Sequence, residues 1–195
     1  MSDKRIVFCQ ANQSDIAGMA AIEGEFFGDY EKIYNEDFLC KWFAHNPDMF
    51  FVIKNTDDAV LGFVVLTPVT KKLHEQLLRG EVFDFFDFGE EDVCRSMNSD
   101  YYYVSDICVT KSKEINYLAA VTNAIGGMID ILSQKAKFVT ACPISKAGAK
   151  LCKAIGMKKV AEADCDGQKY TICALVVDQE IISRFQRLVK KINRE

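Results

Sequence analysis

A carboxylate and a thiol stand two residues apart in a segment that is otherwise typical of a buried strand. The segment reads YYYVSDICV, residues 101–109, and is rich in β-branched and aromatic residues. Because side chains alternate between the two faces of a strand, Asp106 and Cys108 are expected on the same face. A carboxylate within an apolar strand costs free energy unless it is hydrogen-bonded or faces a cleft. Asp106 is therefore a candidate general base, and a structural carboxylate that caps nearby backbone fits the pattern equally well.

A short loop and a helix follow this strand, which is the arrangement with which α/β proteins bind phosphate groups. The loop and the first helical turn read TKSKEINYLAA, residues 110–120. The first N–H groups of a helix have no partner within the helix and attract anions. The loop contains no glycine before Gly126. Two interpretations therefore stay open: a phosphate site built from main-chain N–H groups, or an ordinary capped helix start at residues 112–115.

The composition disfavours several other kinds of chemistry. Of the 195 residues 49% are hydrophobic, and the net charge is −4, which disfavours nucleic acid as a partner because phosphate contacts need a basic surface. No apolar run reaches the roughly 18 residues that span a membrane. Eight cysteines without C-x-x-C spacing indicate free thiols in a reducing cytoplasm, and the two histidines lack the spacing of a zinc site. We therefore expect a cytoplasmic protein with no metal ion, no nucleic-acid partner and no membrane partner.

Hydrophobic periodicity predicts the elements that must position these residues. The predicted order is β-α-α-β-β-(α)-β-α-β-α-β-β-α, which corresponds to one mixed α/β (α+β) domain with a sheet of about seven strands. Ser14 is expected to cap the first helix, and Ser145 to cap a late helix that stops at Gly156. We expect the domain to cover residues 1–177, and residues 178–195 to form an amphipathic helical extension of it.

This order, together with two motifs, resembles the GNAT superfamily of N-acetyltransferases over residues 5–177. DICVTKSKEINYLAAV, residues 106–121, is similar to the strand, loop and helix with which that family binds the pyrophosphate of acetyl-CoA. AGAKLCKAIGMKKV, residues 147–160, is similar to the late helix of the family. The resemblance implies a GNAT-like mixed sheet flanked by helices, acetyl-CoA as co-substrate, and direct attack of an amine on its thioester.

The resemblance also implies roles for particular residues. The strand would offer backbone groups of Ile107, Cys108 and Val109 to the pantetheine arm. The loop and helix start would bind the pyrophosphate through main-chain N–H groups, which belong to Ile115, Asn116, Tyr117, Leu118 and Ala119. Of the side chains in the loop pattern of the family, Ala119 alone matches. Glu114 stands where the family has a positive or neutral donor, and Tyr117 stands where it has glycine.

Two residues of the late helix occupy further family positions. Ser145 stands where many members have an asparagine that contacts the cofactor, and its alternative role is a helix N-cap. Cys152 stands where many members have a tyrosine that acts as general acid, and its alternative role is that of a small buried hydrophobic residue.

The acceptor is expected to be a small-molecule or peptide amine, and the sequence specifies neither its identity nor the oligomeric state. An acidic and aromatic segment, GEVFDFFDFGEEDV at residues 80–93, would suit a cationic amine if it lay beside the cofactor. Otherwise it is a solvated loop whose phenylalanines pack on the core. The alternative function is a catalytically inactive GNAT-like domain that serves as a protein-interaction or regulatory module. We further expect the strand that ends at Val109 and the strand that starts near Phe138 to diverge after Val109.

The charge of the loop gives a first testable prediction. Replacing Glu114 by Arg removes a repulsion and adds a phosphate partner, so Glu114→Arg should bind acetyl-CoA more tightly, by on the order of 1 kcal/mol. Isothermal titration calorimetry on both proteins measures the change. Equal affinity of the two proteins would show that residue 114 does not contact the phosphates.

Overall fold

The computed structural model describes residues 6–28, 32–110, 117–165, 167–183 and 187, and for residues 117–119 it describes the backbone alone. Within these ranges the chain forms a mixed sheet of seven strands flanked by helices. The strands are β1 (Val7–Gln10), β2 (Phe50–Lys54), β3 (Val60–Val69), β4 (Tyr101–Val109), β5 (Phe138–Ala141), β6 (Lys158–Cys165) and β7 (Gln168–Val176). The α-helices are α1 (Ile16–Phe27), α2 (Glu36–His45), α3 (Lys71–Arg79), α4 (Tyr117–Lys135) and α5 (Lys146–Ile155).

The order of the strands in the sheet is β1-β2-β3-β4-β5-β7-β6. β4 and β5 run parallel, whereas β1 with β2, β2 with β3, β5 with β7 and β6 with β7 pair antiparallel. The helix α4 makes the crossover that a parallel pair requires. The predicted fold class, a mixed α/β (α+β) sheet of about seven strands, is confirmed.

The described residues fall into two compact units. The first unit holds the residues up to Val65 and Asp106–Met128, and the second holds Leu66–Ser105 and residues 129–183. Each unit has its own apolar interior. Fully buried side chains of the first are Ile16, Met19, Leu39, Trp42, Phe50, Ile53 and Phe63, and those of the second are Leu66, Leu73, Leu77, Phe85, Tyr102 and Ile172.

Of the two helix N-caps predicted from the sequence, one is confirmed and the other is wrong. Ser145 caps α5 by accepting a hydrogen bond from the N–H of Gly148 at 3.0 Å, and Gly156 ends this helix with a φ of 88°. The cap predicted at Ser14 is wrong. Asn12 takes that role, because it accepts a hydrogen bond from the N–H of Ser14 and opens a short 3-10 turn that precedes α1.

A buried ion pair fixes the place where α1 begins. The ammonium group of Lys54 on β2 lies 2.7 Å from Asp15 Oδ1 and 3.0 Å from Asp58 Oδ1. Asp15 also accepts a hydrogen bond from the N–H of Asn12 at 2.9 Å. The hydrogen bond with Asp15 raises the pKa of Lys54, so this ammonium group stays charged at neutral pH. The first turn of α1 is therefore tied to β2, and α1 carries one of the side chains of the candidate site.

The ladder between β4 and β5 ends earlier than predicted. Its pairs run from Tyr101 with Phe138 to Val104 with Ala141, and β5 ends there. The pairing with β5 therefore stops five residues before Val109 along β4, and the divergence predicted after Val109 stays a prediction. Pro143 has no N–H to donate and lies two residues beyond the end of β5, which is consistent with the short strand.

The chain continues beyond β7 into a helix. Asp178 accepts a hydrogen bond from the N–H of Ile181 at 2.8 Å, and residues 179–183 are helical. The predicted extension at residues 178–195 stays a prediction, since most of its later residues lie outside the described part. Among the helices of the described residues, we find none with the length and apolarity that a membrane span requires.

Gly62 on β3 lets that strand approach the end of β4 closely. A Cβ atom at this position would lie 2.5 Å from the carbonyl oxygen of Cys108 and 3.0 Å from the Cα of Val109. The contact atoms belong to the backbone of β4, so no rotation of a side chain could relieve the overlap. The N–H of Thr110 donates to the carbonyl of Leu61 at 2.8 Å beside this contact. A residue without a side chain is therefore required here.

Gly62→Ala should lower the free energy of unfolding by about 1–3 kcal/mol, because β3 or β4 must move to admit the methyl group. The matched control is Gly24→Ala on α1, where a Cβ atom would meet nothing within 4 Å. That substitution should raise the free energy of unfolding by about 0.5–1 kcal/mol, as alanine does within helices. Urea denaturation followed by circular dichroism measures both. Equal stability of wild type and Gly62→Ala would contradict the close approach.

Candidate functional site

Two carboxyl groups and one thiol meet in the interior of the first unit. They belong to Asp106 and Cys108 on β4 and to Glu23 on α1, and one oxygen or sulfur atom from each lies within 4.8 Å of the other two. The exposed fractions are 9% for Asp106, 3% for Cys108 and 4% for Glu23. The prediction that Asp106 and Cys108 lie on the same face of their strand is confirmed, since their side chains are in contact.

Glu23 was not among the residues predicted from the sequence, although its position carries a signal. The buried face of α1 includes Ile16, Met19 and Glu23, which follow one another at helical spacing. The stripe that must face the interior thus contains one acidic side chain. A carboxylate at such a position has to find hydrogen-bond donors within the protein, so it is a candidate functional residue for the same reason as Asp106.

Cys108 is the hydrogen-bond donor of the group. Its Sγ lies 3.3 Å from Asp106 Oδ1 and 4.0 Å from Glu23 Oε2, and Glu23 Oε1 also accepts the N–H of Tyr34 at 3.3 Å. Burial raises the pKa of the Cys108 thiol far above its usual range, and the negative charges of Asp106 and Glu23 raise it further. The thiol therefore keeps its proton at neutral pH, donates to the carboxylates and is unsuited to act as a nucleophile.

A second carboxylate of α1 lies at the end of β4. Glu25 is exposed and accepts a hydrogen bond from the hydroxyl of Thr110 at 3.2 Å. Thr110 is the residue after β4, and its N–H is held by β3. The end of β4 is thus attached to α1 by a side chain and to β3 by its backbone. Among the described residues, the carboxylates of Glu23, Glu25 and Asp106 bring negative charge to this part of the unit, which favours the approach of cationic groups.

The same three side chains could in principle coordinate a metal ion. A thiol must lose its proton to become a ligand, and a bound cation would itself have to promote that loss at Cys108. Calcium and magnesium ions prefer about six or more oxygen ligands, which this set does not supply alone. Proton transfer is therefore the chemistry that the arrangement supports best, and the sequence-based expectation that the chain binds no metal stays a prediction.

The other residues predicted to bind the cofactor are only partly described. Val109 is buried and Ile107 is half-buried, and both lie on β4 beyond the ladder with β5. Ile115 and Asn116 lie outside the described residues. Tyr117, Leu118 and Ala119 form the start of α4, where the backbone alone is described. The pyrophosphate site at this loop therefore stays a prediction.

The two candidates on the late helix lie in the second unit. Cys152 is buried, with 7% of its surface exposed, and forms no disulfide, as predicted. Burial raises its pKa to about 12, and the neighbouring Cys173 contributes to that increase. A thiol this weakly acidic favours the packing role over the role of general acid. Ser145 is the N-cap, as one interpretation expected, and its contact with a cofactor stays a prediction.

The acidic and aromatic segment packs on the second unit. Phe85 and Phe88 are buried, and the ring of Phe88 lies 5.2 Å from that of Tyr103. Phe83 stacks on Tyr170 at 4.8 Å. Acidic side chains of the segment make local contacts, including Asp84, which accepts the N–H of Phe86, and Glu81, which pairs with Arg79 at 2.6 Å. The interpretation in which these phenylalanines pack on the core is confirmed.

The arrangement of strands and helices recurs in solved structures. The GphF GNAT-like decarboxylase, solved with isobutyryl-CoA, gives a TM-score of 0.63 over 88% of this chain and 98% of its own, at 10% identity. Ard1 from Thermoplasma volcanium gives 0.61 over 89% and 99%, also at 10% identity. The chain has the GNAT fold. YncA from Salmonella typhimurium, solved with acetyl-CoA, gives 0.58 over 89% and 95%, at 14% identity.

These identities are low, so the likeness to the GNAT structures establishes the fold and leaves the reaction open. GphF combines the GNAT-like fold with decarboxylation, which shows that one fold carries more than one reaction. No protein-family model and no curated protein matches the chain. The function must therefore be argued from the residues of the site.

The burial of the thiols gives a prediction on their reactivity. At about pH 8 roughly one Cys152 thiol in ten thousand is ionised, given its pKa of about 12, and Cys108 is ionised even less. Iodoacetamide should therefore modify the exposed Cys165 at least about 100-fold faster than either. Modification of Cys152 should rise as the pH is raised toward 12, because the thiolate fraction then increases. Peptide mass spectrometry measures the rates, with urea-unfolded protein as the control. Rapid modification of Cys108 in the folded protein would contradict this description.

Proposed function

We propose that the chain is an acyl-CoA-dependent N-acetyltransferase that transfers the acetyl group of acetyl-CoA to an amine by direct attack. The observation that carries the proposal is the buried carboxylate of Asp106 on β4, which lies in one cluster with Glu23 of α1. The GNAT fold and the acyl-CoA ligands of the similar structures YncA and GphF support it.

The first step that the site must perform is removal of a proton. An amine is an ammonium ion at neutral pH and has to be neutral before it can attack a carbonyl carbon. We assign proton acceptance to Asp106, because its carboxylate is buried and accepts a hydrogen bond from the thiol of Cys108. The neighbouring charge of Glu23 favours the approach of a cationic amine. The acceptor class is therefore a cationic small-molecule or peptide amine.

Transfer then needs no covalent enzyme intermediate. When bound, acetyl-CoA supplies the thioester carbonyl. The neutral amine attacks it, the new C–N bond forms, and the C–S bond breaks as the thiolate leaves with the electron pair. The thiolate then takes the proton that the new amide nitrogen must lose, so the products are the amide and the free CoA thiol. Cys108 takes no part as a nucleophile because its proton is held. The backbone of β4 fits the pantetheine arm, since its ladder with β5 ends at Val104 and the groups of Ile107, Cys108 and Val109 lie beyond it.

One observation favours the alternative, a GNAT-like domain without catalysis that binds other proteins. Glu114 and Tyr117 depart from the loop pattern of the family. A loop that has lost its phosphate contacts would leave the domain with no co-substrate, and the carboxylates of the site would then have no amine to deprotonate. Binding of acetyl-CoA distinguishes the two functions directly.

A two-part experiment tests the proposal. Acetyl-CoA at about 100 times its Kd should stabilise the wild type by about 2.7 kcal/mol. Asp106→Asn should keep that binding within about two-fold and lower kcat/KM by roughly 100-fold, since it removes a general base. Release of free CoA thiol, measured with a panel of diamines, monoamines and short peptides, reports turnover. Asp87→Asn, on an exposed residue of the second unit, is the control and should match the wild type. Absence of acetyl-CoA binding would favour the interaction module, and full activity of Asp106→Asn would exclude that residue as the base.

A further inference from the structure

The thiol of Cys108 stands between two acceptors and has one proton to donate. Its sulfur is 3.3 Å from Asp106 Oδ1 and 4.0 Å from Glu23 Oε2, so the shorter contact is the one made in this structure. Rotation about the bond between Cβ and Sγ of Cys108 turns the thiol hydrogen from one acceptor toward the other without moving the sulfur or β4. A single S–H group can therefore donate a hydrogen bond to either carboxylate, and it donates a strong one to only one of them at a time.

The carboxylates of Glu23 and Asp106 lie on different elements and have different neighbours. Glu23 also accepts the backbone N–H of Tyr34, and its position is set by α1. Asp106 lies on the same strand as the thiol, two residues away. Among the described residues, Glu25 on α1 is a further charged side chain whose charge acts on Cys108, and it is exposed and hydrogen-bonded to Thr110. The S–H group thus donates to Asp106, which lies on the same strand. It can also be directed at Glu23, which lies on α1.

We propose that Cys108 is a positioning residue, whose S–H orients the Asp106 carboxylate for proton acceptance and turns to Glu23 once Asp106 has taken the proton. This inference rests on the proposed function, in which Asp106 is the base. The proton that leaves the ammonium ion binds Asp106, the S–H bond stays intact throughout, and the hydrogen bond alone changes its acceptor. Glu23 stabilises the protonated state of Asp106 by receiving the thiol that Asp106 releases.

The inference predicts a specific pattern among variants. A hydrogen-bond donor to an ionised carboxylate makes that carboxylate harder to protonate. Removal of the donor should therefore move the acid limb of the kcat/KM profile to higher pH. Cys108→Ala should therefore shift this limb upward by about 0.5–1 pH unit. Cys108→Ser keeps a donor in the same place and should leave the limb within about 0.2 pH unit of the wild type. Cys165→Ala, on an exposed thiol, is the control.

A second measurement needs no turnover. The infrared S–H stretching band of Cys108 is identified as the band that is lost in Cys108→Ala and in Cys108→Ser and kept in Cys165→Ala. If one of the two Cys108 variants fails to fold, the other still identifies the band. In the wild type this band should lie at lower wavenumber than that of an unbonded thiol. It should move to higher wavenumber in Asp106→Asn, whose amide oxygen is a weaker acceptor. In Glu23→Gln it should stay in place while Asp106 is ionised.

The outcomes separate the two proposals. Absence of turnover with every amine, together with the expected infrared pattern, would reject the N-acetyltransferase function and keep the hydrogen bond. Turnover with identical acid limbs for Cys108→Ala, Cys108→Ser and the wild type would overturn the positioning role while the function stands. An S–H band that does not respond to Asp106→Asn would overturn the positioning role as well, because the thiol would then not be bonded to that carboxylate.

Discussion

The burial of two carboxyl groups beside one thiol sets the conditions that the rest of the first unit must meet. Removing an ionised carboxylate from water costs several kcal/mol unless hydrogen bonds replace those to water. The S–H of Cys108 and the N–H of Tyr34 are among the donors that do so, and they act only if α1 and β4 keep a fixed distance. The ion pair of Lys54 and Asp15 at the start of α1 contributes to that distance.

Stability alone gives no reason for such a group. Apolar residues of similar volume at buried charged positions are often neutral or stabilising. Proton transfer does give a reason, because a base that works near neutral pH has to be shielded from water and brought close to another negative charge. The arrangement of Asp106, Glu23 and Cys108 meets both requirements.

Most of the fold could be predicted from the sequence because the signals are local. Hydrophobic periodicity and turn residues give the elements, and Ser145 and Gly156 act where their residue types indicate. The errors arose where two local signals compete. Asn12 and Ser14 can both cap a helix, and the choice depends on the position of Asp15, which β2 determines through Lys54. The early end of β5 likewise depends on its connection to α5.

The site could be predicted only in part, for a physical reason. Asp106 and Cys108 are two residues apart, so strand alternation places them together without knowledge of the fold. Glu23 is more than 80 residues away from them, and its contact forms only when α1 packs beside β4. An acidic residue in an apolar helical stripe indicates that some partner exists, but the stripe does not identify it. For Cys108 the sequence likewise predicts a role for the backbone groups, whereas in the structure its side-chain S–H group donates a hydrogen bond to Asp106.

Gly62 has a consequence for the comparison of this chain with its distant relatives. At identities of 10–14% most aligned pairs of residues are ambiguous, since many alternative registers score equally well. At position 62 the carbonyl oxygen of the opposite strand lies 2.5 Å from where a Cβ atom would be. This steric restriction can be recognised in a structure without any alignment score. In any chain that brings these two strands together in the same way, glycine is therefore favoured at this point. The position can therefore anchor an alignment from which the residue equivalent to Asp106 is then read by counting along the opposite strand.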